Sequence, residues 1–124
     1  TAKFASYKYI ADRVPGLKVH LDVAHAFVLG GMDEIESYIS YFGDRIAHIH
    51  IHDNHGNADE HLGLGHGDID FPFVVDELKE IGYDRTMTFE VFTRARRGKI
   101  IHGALPRTYV KESVKYMKDL WVKS

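Results

Sequence analysis

The chain of 124 residues contains no cysteine, so disulfide bridges and thiolate metal centres are both excluded. No apolar run approaches the roughly 20 residues that a membrane-spanning helix needs. No signal-peptide pattern opens the sequence, and the lack of thiols fits a reducing compartment. A cytoplasmic protein with no membrane partner is the expectation. Neither sign of charge dominates: 16 Lys and Arg stand against 18 Asp and Glu, for a formal net charge of −2. That balance argues against a general nucleic-acid-coating role while allowing one local basic patch. Proline is scarce, at three residues, and tryptophan occurs once. The hydrophobic share of 44% is ordinary for a globular chain, and the length suits one modest core, so residues 1–124 are read as a single domain.

Histidine, by contrast, is concentrated. The stretch HIHIHDNHGNADEHLGLGHG, residues 48–67, holds six of the nine histidines, with two aspartates and four glycines. Packing gives no reason to gather imidazole in this way.

The hydrophobic pattern predicts a helix over 2–14, stopped by Pro15-Gly16, and then an alternating strand over 17–22. Beyond Gly30-Gly31, the positions Ile35, Tyr38, Ile39 and Phe42 mark a helix face that ends at Gly43. Residues 46–52 alternate as a second strand. Asp70 and Pro72 start a helix that buries Val74, Val75, Leu78 and Ile81 and ends at Gly82. Residues 86–91 form a third strand, and Val110, Val114, Met117 and Trp121 give the last helix its stripe. Strands alternating with helices predict a parallel α/β sheet. The one long irregular stretch, 93–106, carries the basic run Arg94-Ala95-Arg96-Arg97-Gly98-Lys99, which is either a solvated surface or a phosphate-binding loop.

Period-two alternation sorts the strand side chains by face. His48, His50 and His52 point away from Ala47, Ile49 and Ile51. Asp22 points away from Leu21, and Thr86, Thr88 and Glu90 away from Met87, Phe89 and Val91. Asp22, His50 and Glu90 therefore stand at equal depth near the C-terminal ends of three neighbouring strands, where parallel α/β folds build their sites. His25 follows Asp22 by three residues, and Asp59-Glu60-His61 lies in the glycine-rich loop. Mixed imidazole and carboxylate donors suit zinc, manganese or iron(II) and make poor calcium sites. His20, His48 and His102 read as hydrogen-bonded core residues. His52, His55 and His66 read as substrate-facing or loop residues.

The motifs LDVAHAF, HIHIHDNHG, DEHLGLGHGDIDF and TFEVF, in that order, resemble the xylose-isomerase-like TIM-barrel superfamily, which joins sugar and sugar phosphate isomerases and epimerases to apurinic endonucleases of the endonuclease IV type. The resemblance implies a (β/α)8 barrel of which this chain carries about the last three strand–helix units. In the isomerase branch it implies Asp22, His50 and Glu90 as ligands of one divalent metal, such as zinc, manganese, magnesium or cobalt, with a further glutamate from an earlier strand that has no counterpart here. Glu90 would then also act as acid/base and His25 would contact substrate, with His52, Arg94, Arg96 and Arg97 as substrate-binding candidates. In the endonuclease branch it implies three zincs, one of them held by His25, Asp59 and His61, and DNA as the partner. A sugar or sugar phosphate is the expected substrate, with abasic DNA as the alternative and a non-catalytic metal-binding piece as the third reading. A full barrel needs about 250 residues, so the chain is expected to be a C-terminal fragment, a truncated product, or one completed by another chain or copy.

Overall fold

The computed structural model describes residues 3–92 and 105–123. Its elements are α1 (Phe4–Ala11), β1 (Val19–Asp22), α2 (Val23–Phe42), a single 3-10 turn (Gly43–Arg45), β2 (Ile46–Ile51), α3 (Phe71–Glu80), β3 (Met87–Phe89) and α4 (Leu105–Lys123). The three strands are parallel and lie in the order β1-β2-β3. This is the strand–helix alternation of part of a (β/α)8 barrel.

Each strand commits one face to the helices. Val19, Leu21, Ile49 and Ile51 are no more than 1% exposed and join one core with Tyr38, Ile39, Phe42, Val74 and Leu78. Each such aliphatic side chain contributes roughly 1.5–3 kcal/mol through burial. Phe4 locks α1 onto α2 by edge-on contacts with Tyr38 and Phe42, at 5.6 and 5.7 Å between ring centres. Arg45 anchors the start of β2 by donating to the carbonyls of Leu17 and Ala11, at 3.0 and 3.2 Å.

Several boundaries differ from the sequence pattern, for local reasons. α1 ends at Ala11, three residues early, because Val14 precedes a proline that disfavours helical backbone before it; the chain leaves through turns in which Arg13 and Val14 donate to the Ile10 carbonyl. α2 starts directly after β1, with no intervening loop. It contains a break at Gly30 (φ −160°) and Gly31 (φ +70°, ψ −158°), a backbone that glycine takes readily. β3 spans Met87–Phe89 only, so Glu90 lies just past its end. α3 begins as expected: the Asp70 carboxylate accepts from the Phe73 N–H at 3.1 Å.

His20 does not belong to the core. It is exposed, because β1 is an edge strand among the described residues and the face bearing His20 meets no further strand. His48 is hydrogen-bonded, with Nδ1 at 2.7 Å from the Thr86 hydroxyl and Nε2 at 2.8 Å from that of Thr88. His102 lies outside the described residues. No described helix is long and apolar enough to cross a membrane.

Candidate metal centre

The spacing Asp-x-x-His in LDVAHAF has a helical cause. Asp22 ends β1 and caps α2, its Oδ1 accepting from the backbone N–H of His25 at 2.9 Å. A cap and the third helical residue lie on one side of the first turn, so the imidazole returns to the carboxylate that starts its helix. His25 Nδ1 lies 3.2 Å from Asp22 Oδ2. Asp22 is 4% exposed. Burial opposes its ionisation, but the His52 imidazole, the His25 N–H and the nearby imidazole charge outweigh that cost and hold its carboxyl below the usual range.

Strand register places the next residues. Asp22 pairs with His50, and His50 pairs with Thr88, so Glu90 stands one side-chain step beyond this row. The expectation of equal depth is corrected here: Glu90 is level with His52, consistent with the stagger of strands in a barrel. Glu90 still reaches back, with Oε1 at 3.2 Å from His50 Nδ1, and Asp22 Oδ2 lies 3.8 Å from the same nitrogen. A carboxylate from each neighbouring strand thus faces one imidazole nitrogen.

The second group is carried by the loop that follows β2. Buried Asp53 organises it. Its carboxylate accepts four backbone N–H groups, from Asn54 (2.9 Å), Gly65 (3.0 Å), Gly67 (2.9 Å) and Ile69 (3.2 Å). Its backbone pairs in both directions with Leu62 at 2.9 Å. Asn54, also buried, donates to the Ala24 carbonyl at 3.0 Å and accepts from Gly56 N–H at 2.8 Å. Gly67 leaves no room for a side chain: a Cβ there would sit 2.4 Å from both Asn54 O and Asp53 Oδ1. Gly67 therefore serves the close approach of loop to carboxylate, while Gly65 supplies a left-handed backbone at φ +85°.

This loop presents Asp59 and His61 to His25. Asp59 Oδ2 lies 3.0 Å from His25 Nε2 and 3.0 Å from His61 Nε2. His61 has φ +53°, which it shares with no other non-glycine among the described residues. It is held there by Phe92 N–H donating to its carbonyl at 3.1 Å and by its Nδ1, 2.8 Å from the Glu90 carbonyl. A carbonyl only accepts, so Nδ1 carries the proton and Nε2 is left as the metal-competent nitrogen, the arrangement seen around imidazole ligands generally. Burial opposes ionisation of Asp59, but hydrogen bonding and electrostatic attraction from the His25 and His61 imidazoles hold its carboxyl below the ordinary value.

Ligand atoms of His25, His52, Asp59 and His61 lie within 4.8 Å of one another, and so do those of Asp22, His52 and Glu90. A tetrahedral zinc with bonds near 2.0–2.1 Å sets its ligand atoms about 3.3 Å apart, close to the separations here. His25, Asp59 and His61 therefore fit a divalent ion, whereas the imidazole that completes the Asp22–Glu90 group within this distance is that of His52, and His50 groups with His20 and His48. His52 belongs to both groups; it is fully buried, and neither ring nitrogen completes a hydrogen bond. Sequence reading leaves it among the substrate-facing residues, because alternation reports a face and not burial. A third group, His20, His48 and His50, also lies within 4.8 Å, but both His48 nitrogens are engaged by threonine hydroxyls.

His55 sits outside the cluster, paired through Nδ1 with Glu60 at 2.9 Å. His66 is exposed. Arg94, Arg96 and Arg97 lie outside the described residues. A hollow of about 220 Å³ lined by His25, Val28, Leu29 and Asp59 borders the cluster. A larger one of about 350 Å³, lined in part by Asp84, Arg85, Met87 and Trp121, lies toward the other end of β3 and includes none of the clustered histidines and carboxylates.

Residues 1–120 match the family described as xylose isomerase-like TIM barrel. The chain belongs to that family. Two uncharacterized proteins of Methanocaldococcus jannaschii, MJ1311 and MJ1614, are 42% and 43% identical to it over 74 residues, 60% of this chain. The crystal structure of a D-tagatose 3-epimerase-like protein superimposes on 93% of the chain with a TM-score of 0.64 and 30% identity. The chain spans 25% and 28% of the length of the two curated relatives and 42% of that solved chain. As a member of the xylose isomerase-like family it carries the barrel's parallel strands with carboxylate and imidazole groups at their C-terminal ends.

Proposed function

We propose that these residues form one side of the active site of a divalent-metal-dependent isomerase or epimerase acting on a sugar or sugar phosphate. The observation that carries this reading is the convergence of Asp22 and Glu90 on His50 Nδ1, from three adjacent strands at their C-terminal ends. The likeness to an epimerase-like protein supports it. Asp22, His50 and Glu90 would hold a zinc or manganese ion, with magnesium or cobalt as alternatives, and the bound ion would supply the positive charge that acidifies the C–H next to the substrate carbonyl. Glu90, 28% exposed on its side chain, moves the proton at that carbon. His25, 30% exposed beside the hollow, contacts the substrate. The remaining wall of the barrel comes from residues beyond these, from another chain or from a second copy, since the fold needs about 250 residues.

The test is proton exchange. The purified protein, loaded with zinc or manganese, is incubated with a panel of ketoses, aldoses and their phosphates in deuterated water. Deuterium should enter at the carbon next to the carbonyl, and Glu90→Gln should abolish that incorporation while metal content is largely retained. Full exchange in this variant removes Glu90 as the acid/base.

The loop-borne group favours a second reading. His25, Asp59 and His61 converge beside the strand-borne group, and a second ion held there would suit a multi-zinc apurinic endonuclease. On that reading His61→Ala lowers zinc content and cleavage of an abasic-site duplex together. Unchanged cleavage excludes it. A chain that binds metal and catalyses neither reaction is the non-catalytic alternative.

A further inference from the structure

The two aspartates of the centre are oriented in the same sense. Asp22 Oδ2 faces the imidazoles of His25 and His50, at 3.2 and 3.8 Å. Asp59 Oδ2 faces those of His25 and His61, both at 3.0 Å. The other oxygen of each carboxylate turns toward His52: Nε2 lies 3.3 Å from Asp22 Oδ1, and Nδ1 lies 3.8 Å from Asp59 Oδ1. His52 is thus inserted between one carboxylate of the strand-borne group and one of the loop-borne group. It is fully buried, and water does not reach either nitrogen.

Its ring plane decides what it can do there. His52 stacks on His61 with centres 3.9 Å apart and planes 9° from parallel. An imidazole binds a metal along a lone pair in its own ring plane, so two rings stacked face to face cannot both aim at one ion. His61 directs Nε2 at Asp59, which leaves His52 outside that centre's ligand set. Two buried ring nitrogens without completed hydrogen bonds are costly, and the acceptors that face them are the carboxylate oxygens at 3.3 and 3.8 Å.

We propose that His52, carrying an N–H on both ring nitrogens because carboxylate oxygens only accept, is a positioning residue that ties the two centres together: Nε2 orients Asp22, Nδ1 orients Asp59, and each carboxylate is thereby held with Oδ2 toward its own group of imidazoles. The proposal rests on the metal-binding reading above and assigns His52 a role distinct from that of substrate contact or ligand.

Glutamine places its amide nitrogen near the position of Nε2, and asparagine near that of Nδ1. His52→Gln therefore keeps the donor to Asp22 and loses the one to Asp59, His52→Asn does the reverse, and His52→Leu loses both. Zinc affinity of the purified protein is measured by competition with a chromophoric chelator, and the number of imidazoles per zinc by X-ray absorption. The expected result is two resolved classes of zinc in the parent protein. His52→Leu weakens both by about 10–100-fold, as loss of an orienting partner does. His52→Gln weakens one class and His52→Asn the other, with the imidazole count unchanged. Should His52→Leu fail to fold, the contrast between the glutamine and asparagine variants carries the test. Unchanged affinities overturn the proposal, and so does a lower imidazole count, which makes His52 a direct ligand. A parent protein that binds no zinc overturns the metal reading itself along with it.

Discussion

The strand-borne and loop-borne halves of the candidate centre are held in place by different physics. Asp22, His50 and Glu90 are placed by backbone ladders and by a hydrophobic face that is dry to within 1% at Leu21, Ile49 and Ile51. Asp59 and His61 have no such sheet beneath them. Their position depends on one buried carboxylate, Asp53, gathering four N–H groups, and on a left-handed backbone at His61. One half is therefore distributed over many apolar side chains, and the other is gathered by a few polar contacts, most of them on Asp53. A sheet tolerates loss of one contact; a cage built around one group does not.

The largest expected effect follows from removing that group. Asp53→Ala strands four buried or half-buried N–H donors and should cost about 3 kcal/mol or more, read as a shift of the denaturant midpoint. It should also abolish binding at the His25–Asp59–His61 group while binding at His50 and Glu90 persists. Equal loss at both groups would show that the two halves share one support. Gly67→Ala comes next. Its methyl group meets the Asn54 carbonyl, which the Asp68 N–H already holds at 2.8 Å, and the overpacking should cost about 1–3 kcal/mol. Its effect on zinc content should again fall on the loop-borne group. Asp70→Ala removes a helix cap remote from the chemistry and should cost about 1 kcal/mol in thermal or denaturant unfolding, with metal binding intact.

The smallest effect is in the pH dependence of the metal-free protein. Asp22 and Asp59 both titrate below the ordinary carboxylate range in the fold. Each therefore adds stability above its unfolded value, near 4, and loses it as the pH falls through the depressed folded value. Asp22→Asn should flatten this acid limb more than Asp59→Asn, because Asp22 is buried and Asp59 is exposed. The opposite ranking would show that burial is not what separates the two.

Much of the strand-borne half is legible in the sequence. Alternation in IAHIHI assigns faces without any long-range information, and the Asp70-x-Pro72 start and the Asp22-x-x-His25 spacing are local cap chemistry. What escapes is whatever depends on register between strands or on contacts distant in the chain. Glu90 reads as level with His50, and only the pairing of His50 with Thr88 shows it one step further along. Asp53 reads as one polar residue in a motif, yet its partners lie as far away as Ile69. His52 and His48 share a face and an alternation, but one ring is sealed between two carboxylates and the other is satisfied by threonines. Periodicity carries no information on that difference.

Asp22 closes a strand, opens a helix and turns its second carboxylate oxygen toward His25, all within one residue. The site therefore has no slack in chain length at this corner. A single residue inserted between Asp22 and His25 would turn the imidazole by about 100° around the helix axis and carry it away from Asp59, although no ligand had been replaced. Deletions here should prove as damaging as ligand substitutions, whereas the same insertion at the Gly30-Gly31 break would be absorbed. Engineering of this barrel mouth has its freedom in that second joint.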